Sequence, residues 1–176
     1  MRKLLSYLFL FAAVSAGQIR ADDTGLGVSV SLGASRIADD DGDESFRGDG
    51  VGVAVDFEYR FHPSFALGMG YIGFGRATDT VDGVETDISA RAVDMFARPV
   101  FSLSDSVELY GRFGFALYGA DLEPGSSALG GGWEAGLGLD IGQRDKNYSV
   151  RFEGRFLNGR DDESALMLGA GVALLF

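Results

Sequence analysis

The chain has 176 residues, of which 46% are hydrophobic, and its 26 acidic against 15 basic residues give a net charge of −11. A chain this acidic is a poor nucleic-acid binder, because affinity for the phosphate backbone depends on lysine and arginine. It contains no cysteine, which excludes disulfides, thiol catalysis and cysteine metal sites.

Residues 1–21 are predicted to be a secretory signal peptide. Arg2 and Lys3 precede an apolar run over residues 4–14, and small residues follow at Ala16 and Ala21. Cleavage after Ala16 and cleavage after Ala21 both fit this pattern, and the sequence does not decide between them. Residues 22–176 then form one mature domain, which has no apolar run of the ~20 residues that a membrane-spanning helix needs.

The mature domain is predicted to consist of eight β-strands, because apolar residues recur at every second position over long stretches. In the first two runs, 26–35 and 51–61, valine, leucine and phenylalanine alternate with glycine, serine and charged residues. Similar runs follow at 65–71, 88–101, 107–117, 133–141, 148–156 and 166–176. Most approach the ~9–11 residues with which a tilted strand crosses a bilayer.

Two of these runs are irregular. Ile72 and Phe74 fall on the wrong face for the third strand, and the fourth changes phase between Ala92 and Val93. We therefore expect a bulge or an early strand end in each. Pro99 cannot donate to a ladder, and a closed barrel has no free edge, so it is expected at a strand end or in a bulge.

The connections between the runs alternate in length. Those at 62–64, 102–106 and 143–147 are short, whereas those at 38–49, 76–86, 120–132 and 158–164 are long. Short periplasmic turns and long outer loops are the asymmetry expected of a transmembrane barrel in the outer membrane. An even number of strands would then leave both termini in the periplasm.

Three features favour a membrane barrel over a soluble barrel with its apolar face inside. The face opposite the apolar one is rich in glycine, serine and alanine, which suit a narrow lumen better than a water-facing surface. The chain stops at Phe176, in an alternating run that includes Val172 and Leu174. Aromatic residues also cluster at strand ends beside the short turns, as in an interfacial girdle: Tyr59, Phe61, Phe65, Phe101, Tyr148 and Phe176.

With these features the chain resembles the small outer-membrane β-barrels of the OmpA/OmpX type. The resemblance spans the whole mature chain and implies an all-β, eight-stranded antiparallel up-and-down transmembrane barrel, integral to the bacterial outer membrane. It also implies that Val172, Leu174 and Phe176 form the signal read by the barrel-assembly machinery. No catalytic motif accompanies it.

If the apolar face meets lipid, thirteen charged residues face the lumen, seven of them acids and six arginines. Near-balance predicts mutual pairing, since an unpaired buried charge is costly and arginine binds carboxylates with two hydrogen bonds. A salt-bridge network that plugs the barrel is one interpretation, and a partly solvated lumen with few fixed pairs is the other. The predicted lumenal set is Asp56, Glu58, Arg60, Arg91, Asp94, Arg98, Glu108, Arg112, Glu134, Asp140, Arg151, Glu153 and Arg155.

The long connections carry most of the remaining negative charge, with fifteen acids in or beside them against three arginines. The densest cluster does not match an EF-hand, because Glu44 stands where glycine belongs and Gly50 stands where the last glutamate belongs. A solvated loop is expected, since blocks of like charge repel, and weak binding of divalent cations is left open. This acidic loop comprises Asp39, Asp40, Asp41, Asp43 and Glu44.

We expect a non-enzymatic barrel that stabilises the outer membrane and presents acidic loops for surface interaction. A narrow pore for small ions or solutes is the alternative. A lipid-modifying enzyme is a third hypothesis, but the sole histidine, His62, lies in a predicted periplasmic turn, far from the serines of the outer loops. No catalytic, cofactor or metal site is expected. Expected partners are outer-membrane lipid, lipopolysaccharide and the assembly machinery, with no nucleic acid.

Overall fold

The computed structural model describes residues 24–41, 44–81, 84–123, 126–142, 147–159 and 163–176, without the side chains of 39–46, 79–86 and 122–128. Within these ranges it contains no helix long and apolar enough to span a membrane. The predicted signal peptide and its cleavage sites lie outside the described residues. They stay predictions.

Eight antiparallel strands close into one barrel in simple sequence order, which confirms the predicted fold. Closure comes from pairing of the first strand with the last, from Gly27 opposite Leu175 to Ala38 opposite Ser164. The strands are β1 (Gly25–Asp41), β2 (Glu44–His62), β3 (Phe65–Val81), β4 (Val84–Ser104), β5 (Val107–Glu123), β6 (Ser126–Gly142), β7 (Tyr148–Asn158) and β8 (Ser164–Leu175).

Six of the strands are much longer than the sequence predicted. β1 to β6 contain 17 to 21 residues each, whereas β7 and β8 contain 11 and 12. Three of the connections predicted to be long are therefore mostly paired hairpins. Alternation did not reveal them, because beyond the apolar belt both faces of a hairpin can be polar and the period-2 signal disappears.

The outer face of the barrel is a continuous apolar belt. Large side chains such as Phe115, Met95 and Leu137 are each more than two-thirds exposed. Burying such a surface in lipid is favourable, whereas in water it would be an exposed apolar patch far larger than soluble monomers carry. The belt therefore assigns this face to the membrane.

The lumen has two layers of different chemistry. The half near the short turns holds the buried charged residues described below. The half near the hairpins is filled by a cluster of buried, mostly apolar side chains: Ile37, Ala54, Ile72, Phe74, Ala77, Ile88, Ala92, Ala116, Tyr118, Leu157, Ala165 and Met167.

This apolar layer explains the irregular phase of the third and fourth runs. Ile72, Phe74 and Ile88 are buried in the lumen, so an apolar residue at this level faces inward rather than outward. A bulge does follow in β3, where the register with β4 shifts between Gly73 and Gly75. Gly75 has a φ of 75°, which glycine adopts without steric cost.

The bulge expected in β4 between Ala92 and Val93 does not exist, because both residues pair with β3 in unbroken register. The prediction for Pro99 is also wrong, since it lies inside β4 and pairs with Phe65. The β4–β5 ladder has no paired residues between Ala97 and Val100, yet its register is unchanged across the gap. β4 therefore accommodates the missing N–H of Pro99 by leaving a gap in its ladder with β5.

Glycines on the inner face make room for the large lumenal side chains. A Cβ on Gly138 would collide with the ring of Tyr110, and one on Gly70 would collide with the carboxylates of Asp56 and Asp94. The glycine-rich inner face thus lets an eight-stranded lumen hold arginine and tyrosine side chains.

Candidate functional site

Twelve of the thirteen charged residues predicted for the lumen are buried inside the barrel. Arg91 is the exception, and its prediction was wrong. It shares the outward face of β4 with Val93 and Met95, its side chain is 64% exposed, and its guanidinium lies 3.5 Å from Asp121. The error followed from the supposed phase change at Ala92, which placed Arg91 on the opposite face.

The part of the lumen nearest the short turns is organised around Asp140. Arg151 donates two hydrogen bonds to this carboxylate, at 2.8 and 2.9 Å, and a third to the hydroxyl of Ser29 at 2.8 Å. Arg98 bridges Asp140 to Glu58. These residues come from β1, β2, β4, β6 and β7. Arg151 and Asp140 lie on adjacent strands, whereas the two ion pairs of Arg98 link non-adjacent strands across the lumen.

Asp56 is the centre of the next level. It accepts hydrogen bonds from the guanidinium of Arg155, one of them 3.0 Å long, and lies 3.2 Å from that of Arg112. Arg112 also binds Asp94 at 2.7 Å and contacts Glu134. Ser29 donates to Asp56 at 3.1 Å, which connects this level to the one below.

Three further contacts belong to the network. Arg60 binds Glu108 with two hydrogen bonds, 2.7 and 3.1 Å long, in the paired geometry that guanidinium and carboxylate favour. Glu153 binds Arg155 at 2.8 Å and accepts a hydrogen bond from the Tyr110 hydroxyl at 3.1 Å.

Aromatic rings pack against the arginines of this network. The guanidinium of Arg98 lies 4.1 Å from the centre of the Tyr110 ring, and that of Arg112 lies 3.4 Å from the centre of the Phe96 ring. Cation–π contacts of this kind are strongest where water is excluded. Sequence reasoning missed both rings, although their inward phase could be read from the neighbouring charged residues.

With Arg91 outside, the predicted set contributes seven carboxylates and five arginines to the lumen. Its formal charge is therefore −2 if every group is ionised, rather than the near-balance that the sequence suggested. Each of the five arginines contacts at least one carboxylate. Arg60, Arg98, Arg151 and Arg155 are among the largest fully buried side chains of the protein.

Ion pairs also ring the outside of the barrel above the belt, but these are exposed. Arg36 donates to Asp49 at 2.7 Å with both side chains nearly half exposed, and Arg76 lies 3.5 Å from Asp87. Such pairs contribute little to stability, because water and salt screen them. They mark the level at which the apolar surface gives way to polar groups.

The aromatic residues predicted as a girdle lie at the opposite end, beside the short turns. Tyr59, Phe61, Phe101 and Phe176 are each about half exposed or more, and the rings of Phe61 and Phe65 are 5.4 Å apart. The backbone N–H of Phe176 donates to the carbonyl of Leu26 at 2.7 Å. Of the other two residues of the predicted assembly signal, Leu174 is exposed and Val172 is partly buried.

His62 lies at the end of β2, beside the short turn, whereas Ser164 begins β8 at the opposite end of the barrel. Its imidazole Nδ1 accepts a hydrogen bond from the backbone N–H of Ser64 at 3.1 Å, so it closes the turn. The described residues contain no group of three or more metal-binding side chains.

The acidic cluster is not a loop in the sense predicted. The backbone of Asp39, Asp40 and Asp41 belongs to β1, where Asp41 pairs with Glu44 of β2. Their side chains, like the whole of Asp43, lie outside the described residues. Divalent-cation binding there stays a prediction.

The fold and the outward apolar belt define the class of protein as a small β-barrel of the outer membrane. Among solved structures, the chain is similar to neisserial surface protein A, at 16% identity and a TM-score of 0.71, over 86% of this chain and 97% of that one. It is also similar to Ail, the attachment invasion locus protein of Yersinia pestis, solved in complex with the heparin analogue sucrose octasulfate. There the identity is 19% and the TM-score 0.57, over 85% and 99% of the two chains.

A third similar structure is the N-terminal β-barrel domain of Pseudomonas aeruginosa OprF, at 13% identity and a TM-score of 0.57, over 88% and 100% of the chains. A comparison with curated protein sequences finds no match. The family model described as "Outer membrane protein beta-barrel domain" matches residues 6–176. The chain belongs to this family and is an integral protein of the bacterial outer membrane.

Proposed function

We propose that the protein is a non-enzymatic barrel that stabilises the outer membrane, with a lumen closed to ions and an acidic surface outside the cell. The observation that carries this proposal is the network of buried ion pairs around Asp56 and Asp140. A lumen of eight strands is just wide enough to be filled by side chains. Here arginines from four strands cross it to reach carboxylates on others, so little space is left for an aqueous path.

The proposal also includes an orientation. The long hairpins would face outward and the short turns the periplasm, with both termini on the periplasmic side. Supporting it are the usual asymmetry of outer-membrane barrels and the aromatic residues beside the short turns. The exposed arginines of the opposite rim would then lie at the level of the lipopolysaccharide phosphates.

The acidic hairpins suggest what kind of surface partner to expect. Ail has been solved with a sulfated sugar analogue, but the hairpins of the present chain and the residues beside them carry fifteen acids against five arginines, once the exposed Arg36 and Arg91 are counted, and would repel a polyanion. A basic protein segment or another cationic surface suits these hairpins better. The partner would therefore differ in charge from a sulfated glycan.

Conductance in a planar lipid bilayer tests the closed lumen. The wild-type protein should give no steady channels at a concentration at which a general porin, the positive control, inserts and conducts. Replacing Arg112 and Arg155 by serine together with Phe74 and Met167 by alanine should create brief or small channels. These changes remove the two guanidinium groups nearest Asp56 and also open the apolar layer above them. Large ohmic channels from the wild type would overturn the closed lumen and favour the narrow-pore alternative.

A further inference from the structure

The hairpin end of the lumen contains a cavity that the ion-pair network does not use. It lies above the apolar layer, and we call it the apolar cup. Its wall includes Ile37, Phe74, Ile88, Tyr118 and Leu157, and the cavity volume is about 40 Å³. That is room for a few water-sized groups, since one such group needs about 10–15 Å³ on this measure. The lining is mostly apolar, as in small-molecule sites.

The floor of the apolar cup is closed. Ile72, Phe74 and Met167 have essentially no exposed surface and separate the cup from the charged network beneath. A molecule that entered from the hairpin side would therefore stop there instead of passing through the barrel. The geometry is that of a binding site with one entrance.

The rim of the cup gives it a charge preference. Glu163 lines the cavity between the end of β7 at Asn158 and the start of β8 at Ser164. The hairpins around the mouth are strongly acidic in sequence. A negative rim above an apolar floor favours a cationic head over a carboxylate.

We propose that the apolar cup binds a short hydrocarbon chain or ring whose exposed end is cationic or neutral. The ligand would place its apolar part against Phe74, Ile88 and Leu157 and leave its head beside Glu163. The hydrocarbon could come from a free amphiphile or from a lipid chain that enters from the hairpin side. In both cases a hydrocarbon group packs against the apolar residues at the bottom of the cup.

Because the chain contains no cysteine, a single engineered thiol can report occupancy. Ala90 lines the cup and is partly buried, which makes Ala90→Cys a suitable reporter. The test measures the rate at which a water-soluble maleimide alkylates this variant in lipid nanodiscs, with and without hexyltrimethylammonium. Hexanoate is the anionic probe of equal chain length. Ser102→Cys, exposed on the short-turn side, is the matched control.

Saturable slowing of alkylation by hexyltrimethylammonium in the Ala90→Cys variant, with no effect in the Ser102→Cys variant, would support a free amphiphile as ligand. Hexanoate should protect about fivefold less well, a modest factor because partly exposed charges are screened. Glu163→Gln should reduce that preference, and Ala165→Leu, which fills the cup, should abolish protection. Gel mobility without boiling verifies that each variant is folded.

Two other outcomes separate the remaining occupants. A thiol in the cup that is unreactive in nanodiscs without any probe, but reactive in detergent micelles, would support a lipid chain as the occupant. A thiol that reacts at the same rate with and without the probe in both media would overturn the proposal. So would a thiol that is unreactive in both, because the hairpins themselves would then fill the cup.

Discussion

Replacing Arg151 by methionine should destabilise the barrel far more than the same replacement of Arg91. Arg151 is fully buried and donates two hydrogen bonds to Asp140 and one to Ser29. Methionine fills much of the same volume but leaves Asp140 with Arg98 as its nearest guanidinium. Removing one partner of a buried pair typically costs about 3–5 kcal/mol, and here Arg98 alone would have to compensate both Asp140 and Glu58.

Arg91 is the matched control, because its pair with Asp121 is 3.5 Å long and both side chains are at least half exposed. Exposed pairs contribute about 0–1 kcal/mol, so Arg91→Met should change the free energy of unfolding by no more than that. Urea unfolding in lipid vesicles can be followed by Trp133, the sole tryptophan, which lies on the lipid-facing surface. If both variants lost an equally small amount of unfolding free energy, the result would refute a dry, paired lumen and support a solvated one.

Three further variants test separate parts of the structure. Glu108→Met alone should cost about 3–5 kcal/mol, because it leaves the buried Arg60 without its carboxylate. The double variant with Arg60→Met should recover most of that loss, since replacing both partners of a buried pair by apolar residues is often nearly neutral. A double-mutant cycle of urea unfolding measures this. Gly138→Ala should cost about 1–3 kcal/mol, because its Cβ would overlap a tyrosine ring, whereas Gly131→Ala meets nothing closer than 3.8 Å. Phe176→Ala should slow assembly in cells several-fold, as measured by pulse-chase appearance of the folded band, while refolding into vesicles changes little.

Each of these has a contradicting result. A double variant at the Arg60–Glu108 pair that is as unstable as the single one would mean that the pair is not an independent unit. Equal stability of the two glycine variants would mean that the tyrosine moves aside without cost. If Phe176→Ala slowed refolding into vesicles as much as assembly in cells, the terminal residue would act through stability rather than recognition.

The strand order and the two faces of most strands could be predicted, because in the half of the barrel near the short turns the lumen is charged and the outside is apolar. Alternation at Asp56, Glu58 and Arg60, for example, gives the correct inward phase at all three positions. The same rule fails near the hairpins, where the lumen is lined by residues such as Ile72 and Ile88. With apolar residues on both faces there, alternation carries little information about which side faces lipid.

That failure accounts for the misplacement of Arg91 and for the bulge wrongly expected beside Ala92. Some partners within the lumen lie on adjacent strands, as Asp140 and Arg151 do, but others could not be predicted because they join strands that are not adjacent in the sheet. Arg98 and Asp140, for instance, come from β4 and β6 and meet across the lumen. Charge balance predicts that pairing occurs, but the choice of partner depends on the diameter and stagger of the closed barrel.

The central claim is that the apolar face of the barrel meets lipid and the charged face is enclosed. Gel mobility of the protein from isolated outer membranes, with and without boiling in dodecyl sulfate, tests this most directly. We expect the protein to fractionate with the outer membrane and its unboiled band to migrate differently from the boiled one, because a closed barrel resists the detergent until it is heated. A soluble protein whose band does not shift on boiling would contradict the assignment of both faces.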